Sequence, residues 1–288
     1  MGILNELLGS GVHSSELAYI KPCTQCEAIQ LLWKYCYNKS IEFISYDAPI
    51  IYYSGYTHSV ISNDPDLPQS DQSIESRQHK VKQAILSLAN GTYSRSQNDP
   101  TDIINTVHSN VKKRYVIIDG VGYPSVGSCV NLSNATVSQL VNSPILLVGR
   151  SGVGNSIDSM NYMSTYFKYN KCHVLGAIFN KIEDTSYHTI NDTIKYTTLY
   201  YKNNDPSFHI YGHIPVLPLV KSETSDGIII ADGASCRRKI ANANELSLQP
   251  HESVNMNNWL ELFHSNVNIQ LLIHDIDQYW DNFYSSQQ

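Results

Sequence analysis

Charge is scarce in this chain. Asp, Glu, Lys and Arg together make up 16% of its 288 residues, against about a quarter in ordinary globular proteins. What charge there is leans acidic, with a formal net of −6, which excludes a nucleic-acid binder run by bulk positive charge. No run of about 18 apolar residues occurs, so a membrane-spanning helix is excluded. The opening Met1-Gly2-Ile3-Leu4-Asn5-Glu6 has neither the basic flank nor the apolar core of a secretory leader. Cysteine is also thin: Cys23, Cys26, Cys36, Cys129, Cys172 and Cys236 are scattered, which excludes a disulfide miniprotein and leads us to expect reduced thiols in a cytoplasmic protein. A zinc ribbon needs a second close pair beside Cys23-x-x-Cys26, and the sequence has none. Redox use of that pair stays open beside buried or incidental thiols.

What is present is apolar material in short runs. Hydrophobic residues reach 42%, too many for a disordered chain. Leu17–Ile20, Tyr115–Ile118, Pro144–Val148, His173–Phe179 and Phe208–Tyr211 each read as a strand. Between and around them, helical spacing is expected over Ile3–Leu8, Cys26–Tyr37, Arg77–Leu88, Asp102–Val111, Thr136–Val141, Asn155–Phe167 and Ser186–Tyr201, with one or two closing helices over Trp259–Phe283. Residues 62–74 read as a polar loop. Continuous apolar strands alternating with helices predict an α/β fold with a doubly wound, mostly parallel sheet covered on both faces and a C-terminal helical extension. The expected domains are residues 1–220 as that α/β unit and 221–288 as an irregular segment with helices packed on it.

In such sheets, ligands bind at the carboxyl ends of the strands, where polar letters fall: Lys21, Asp119, Gly149 and Asn180. Gly149 to Ser156 spells G-x-x-x-x-G-N-S. It follows a strand and opens a helix, but Asn155 stands where a phosphate loop needs a lysine. It reads either as a Gly-rich strand-to-helix turn or as an anion site made of backbone N–H groups. Asp119-Gly120-Val121-Gly122 puts a carboxylate where it can hold Mg²⁺, beside glycines that admit a ligand to the backbone; an ordinary turn capped by Asp119 is the alternative. Lys21 faces either an anion or solvent. Asn180 suits a nucleobase edge or a turn. Tyr52, Tyr53 and Tyr56 line a pocket or pack a sheet edge.

Taken in order, these segments resemble the dethiobiotin synthetase-like branch of P-loop NTPases, over about Ile3 to Pro215. The family's K-P resembles Lys21-Pro22, its E-G-A-G-G resembles Asp119-Gly120-Val121-Gly122-Tyr123, and its G-L-G-x-I-N resembles Gly152 to Ile157. Its G-x-I-x-N resembles Gly176-Ala177-Ile178-Phe179-Asn180, and its G-x-I-P resembles Gly212-His213-Ile214-Pro215. The resemblance implies ATP and Mg²⁺ as cofactors and phosphorylation of a carbamate that then closes into a ring urea. It assigns Lys21 to catalysis and Asp119 to the metal. It assigns Gly120, Gly122, Asn180, Lys181 and Pro215 to the nucleotide, with Asn180 on adenine. The implied partners are a nucleotide and a small-molecule substrate, with a homodimer allowed and neither nucleic acid nor membrane. The alternative is a nucleotide-binding regulatory or scaffold protein without turnover; an amidotransferase-linked synthetase ranks last. The family's G-x-x-x-x-G-K-T loop belongs before its first helix. We expect that segment to lie upstream in frame, this sequence being truncated; the other branch is a protein that never had it.

Overall fold

The computed structural model describes residues 1–21, 28–45, 74–92, 111–120, 123–128, 131–149, 152–218 and 248–286. The elements run α1 (Gly2–Gly9), β1 (Leu17–Lys21), α2 (Ala28–Asn38), β2 (Glu42–Ser45), α3 (Ile74–Ala89), β3 (Tyr115–Ile118), α4 (Asn134–Val141), β4 (Ile145–Gly149), α5 (Val153–Tyr169), β5 (Val174–Ile182), α6 (Ile190–Asn204), β6 (His209–Pro215), α7 (Pro250–Asn266) and α8 (Ile269–Ser285). The fold is α/β with parallel strands flanked by helices and with helices at its C-terminal end, as the alternation predicts. Among the described residues, no helix is long and apolar enough to cross a membrane. The expected helix over 102–110, the loop over 62–73, Tyr52, Tyr53, Tyr56, Cys23, Cys26, Cys129 and Cys236 lie outside the described residues.

Two compact units make up the chain. One holds Met1, Leu7–Val141 and Lys221–Ser253; the other holds Gly2–Glu6, Asn142–Val220 and Val254–Gln288. In the first, the strand order is β2-β1-β3, all parallel. Its apolar center is Ala18 and Ile20 of β1 against Val81, Ile85 and Leu88 of α3 and Val137 of α4. The 81/85/88 spacing puts three side chains on one face of α3, and that face is the one that buries.

One strand, β2, is not expected from the sequence. Glu42 breaks what would otherwise be an apolar run, yet it is buried. Lys113, just ahead of β3, reaches Glu42 Oε2 at 2.7 Å, with the two side chains 0% and 3% exposed. The same ammonium donates to the Ser15 carbonyl, ahead of β1, at 2.9 Å. One buried cation therefore ties together the amino ends of three strands.

In the second unit the order is β4-β5-β6, again all parallel. Leu175, Ile178, Tyr211 and Ile214 meet Phe263, Val267, Ile269 and Leu272 of the C-terminal helices. β5 runs on to Ile182, past the expected end at Phe179. Helix α6 starts at Ile190 rather than Ser186. Thr189 caps it by accepting from the Asp192 amide, and the Asp192 carboxylate accepts from the Thr189 amide in return. Gly176 sits at φ 152°, and a Cβ there would run into the His209 carbonyl oxygen. The glycine of the G-x-I-x-N motif is therefore required by the approach of β6.

Candidate functional site

In the first unit, Lys21 closes β1 in register with Ser45 of β2, and Ile20 lies opposite Ile118 of β3. The Asp119 amide donates to the Ile20 carbonyl at 2.9 Å. Lys21 and Asp119 are thus neighboring strand tips at one carboxyl edge. Tyr19, two residues before Lys21, is buried and donates its hydroxyl to Asp119 Oδ2 at 2.5 Å. Burial, and then the charge of Asp119, raises the Tyr19 phenol far above its ordinary range. Tyr19 therefore stays a neutral donor and fixes the half-buried carboxylate in place. After the strand, Gly120 packs beside the Asn134 side chain at the start of α4. Asn134 Nδ2 donates to the Tyr123 carbonyl at 2.9 Å, so the loop folds back on the helix. Gly122 lies outside the described residues.

In the second unit, one register line crosses all three strands. Gly149 of β4 aligns with Phe179 of β5, and Phe179 aligns with His213 of β6. One step on, Asn180 aligns with Ile214, followed by Ile182 with Pro215. The strand ends therefore bring Gly149, Asn180, Lys181 and Pro215 to one carboxyl edge. Lys181 is exposed at φ 59°, in a register irregularity of β5. Its amide donates to Asn180 Oδ1 at 2.9 Å. A carbonyl oxygen accepts twice, so Oδ1 keeps one lone pair, and among the described residues Nδ2 has no protein partner.

The near-match to a phosphate loop has a packing explanation at its first glycine. A Cβ on Gly149 would lie 2.8 Å from Phe179 Cδ1, so only glycine lets that ring seat. Helix α5 then begins with Gly152 as its N-cap, without a side-chain hydrogen bond to the first turn. Arg150 and Ser151 lie outside the described residues.

Two polar clusters at this sheet are not visible in the sequence reading. His213 Nε2 lies 2.8 Å from Thr197 Oγ1, and its ring stacks on Phe179 with centroids 5.2 Å apart. Burial lowers the His213 pKa to about 4, so the ring is neutral near pH 7. At the other end of β6, Asp275 Oδ2 accepts from the Tyr211 hydroxyl at 2.7 Å and meets His209 Nδ1 at 2.5 Å. Cys36 and Cys172 are buried and form no disulfide, and burial pushes the Cys36 thiol up to about 12, which marks it as an inert core residue. Among the described residues, no group of three His, Cys, Asp or Glu side chains could hold a metal ion.

Comparison with known families matches residues 57–224 to the model described as AAA domain. No curated protein and no solved structure matches the chain. The matched residues include Asp119, Gly120, Gly122, Asn180, Lys181 and Pro215 and begin after Lys21. They make up more than half of the sequence, and the chain belongs to the AAA domain family, a P-loop NTPase type whose members generally bind nucleotide with Mg²⁺.

Proposed function

We propose that this AAA-domain protein binds magnesium–ATP with its adenine at Asn180, and that it is a ligase of the dethiobiotin synthetase type. The observation that supports the reading is that, within each unit by itself, motif residues fall at carboxyl strand ends: Lys21 and Asp119 in one unit, Gly149, Asn180 and Pro215 in the other. A ligand of an open parallel sheet lies at such an edge.

The residues suit the ligand. Mg²⁺ is held by one or two carboxylates together with phosphate oxygens and waters, and Asp119 is a single strand-tip acid already oriented by Tyr19. Adenine offers an amino donor and a ring-nitrogen acceptor; the Asn180 amide has a remaining Oδ1 lone pair and an open Nδ2 group to meet them. Lys181 follows Asn180 on β5, Pro215 follows its register partner Ile214 on β6, and Gly120 leaves the backbone after Asp119 without a side chain. Bound magnesium–ATP would supply the phosphoryl group that makes a carbamate oxygen a leaving group, after which a neighboring amine closes the ring. Lys21 would hold the negative charge of carbamate and phosphate at the β1 tip.

A nucleotide-binding protein without turnover is the second reading. It is favored by the family match, which begins after Lys21, the residue assigned to catalysis. Calorimetric titration with magnesium–ATP separates the cases. Asn180→Ala should weaken binding about tenfold, the worth of one well-made hydrogen bond pair; unchanged affinity removes the adenine assignment. Lys21→Ala should keep binding while abolishing diamine- and bicarbonate-dependent phosphate release, whereas a protein without turnover releases none even before substitution.

A further inference from the structure

We propose that His213 is a positioning residue for base recognition: held by Thr197, its ring seats Phe179 and thereby fixes the Asn180 amide, a role that rests on the adenine reading above. The hydrogen count determines how the ring is held. Thr197 is fully buried, and its Oγ1 lies 2.7 Å from the Thr193 carbonyl oxygen as well as 2.8 Å from His213 Nε2. A hydroxyl has one proton. If that proton went to histidine, two oxygens would face each other unbonded at 2.7 Å. The Thr197 proton therefore goes to the Thr193 carbonyl, in the usual back-bond to residue i−4, and His213 donates Nε2–H to Thr197. The tautomer and the ring plane are both set from α6.

That plane is handed across the sheet. His213 stacks on Phe179 at an interplanar angle of 16°. Phe179 is fully buried and fills the space left by the missing side chain of Gly149 on the next strand. Phe179 and Asn180 are consecutive paired residues of β5 between its two register shifts, the second of which falls directly after Asn180. Any tilt or shift of the Phe179 ring moves the backbone from which the amide projects. A displacement of about 1 Å is enough to lose an oriented contact. An apolar residue at 213 would fill the same volume without holding its angle, since only a donor can be fixed by Thr197.

The test uses the full chain and measures the ratio of ATP to GTP affinity with fluorescent analogs, alongside thermal unfolding. His213→Phe, which keeps the stack and loses the donor, and Thr197→Val, which loses the acceptor, should each cut the ATP preference about tenfold. Thr197→Ser should restore it. A ratio unchanged in both variants, while Asn180→Ala abolishes it, overturns the positioning role and leaves the adenine reading standing. A ratio unchanged in Asn180→Ala, or no preference in the wild-type protein, overturns the adenine reading and the positioning role with it. Imidazole nitrogen NMR gives an independent readout: the Nε2–H tautomer is expected at pH 7, and an Nδ1–H tautomer contradicts the hydrogen count.

Discussion

In the unit built on β2-β1-β3, the fixed points at both strand ends are charges; in the unit built on β4-β5-β6, those at the carboxyl end are rings and a hydroxyl. The first unit holds the Lys113–Glu42 pair at its amino edge and the Tyr19–Asp119 bond at its carboxyl edge. The second stacks Phe179 on His213, with centroids 5.2 Å apart, and holds His213 by the Thr197 hydroxyl. Among its described residues, Asp275 is the one buried charged side chain. The difference matches what each edge would handle. A carboxylate and a lysine at strand tips suit phosphate and metal, which interact through charge. An amide set by packed rings suits a flat, neutral base, where angle matters more than field.

The largest effect that would break this contrast is expected at Lys113. Lys113→Met leaves Glu42 buried without its cation and should cost about 3–5 kcal/mol in urea unfolding, with the double variant Lys113→Met, Glu42→Leu recovering most of it. If the single variant is near neutral, charge does not organize the first unit. Next comes Asp275 in the second unit. Asp275→Ala leaves the buried Tyr211 hydroxyl with only the longer contact to the Leu175 carbonyl, at 3.3 Å, and should cost about 1–3 kcal/mol; adding Tyr211→Phe should recover part of that, since the buried hydroxyl is then gone. A loss as large as that at Lys113 would erase the distinction between the units.

A third effect concerns acid. The folded pKa of His213, about 4, lies below its ordinary value of 6.5. The unfolded chain therefore binds a proton that the folded one refuses. This contribution to stability is complete above pH 6.5, shrinks as the pH falls, and is gone below about 4. His213→Phe should flatten that limb in denaturation curves taken across the window. An identical limb in the variant would place the acid sensitivity elsewhere.

Much of the frame was legible because continuous apolar runs alternate with helical spacing, as at Ile117-Ile118 and Leu146-Leu147. β2 was not, because Glu42 reads as a surface letter until its partner Lys113, distant in sequence, is known. The start of α6 could have been read from Thr189 and Asp192, a capping pair three residues apart that the polar stretch before it obscures. At the site, the strand tips could be read one by one. The groups that set them could not: Tyr19 and Asp119 are 100 residues apart, and His213 looks like a turn residue in its motif until Thr197 is placed beside it. Asp275 is a single acid within an amphipathic helix, and nothing local distinguishes it from Asp277 on the same helix.

The central claim is that adenine lies at the carboxyl edge of β5 and β6. Photolabeling of the protein with magnesium 8-azido-ATP, followed by peptide mass spectrometry, tests it directly. Adducts confined to the peptides around Asn180–Ile182 and His213–Val216, and competed away by ATP, are the predicted result. ATP-competed adducts that avoid both peptides would contradict the account.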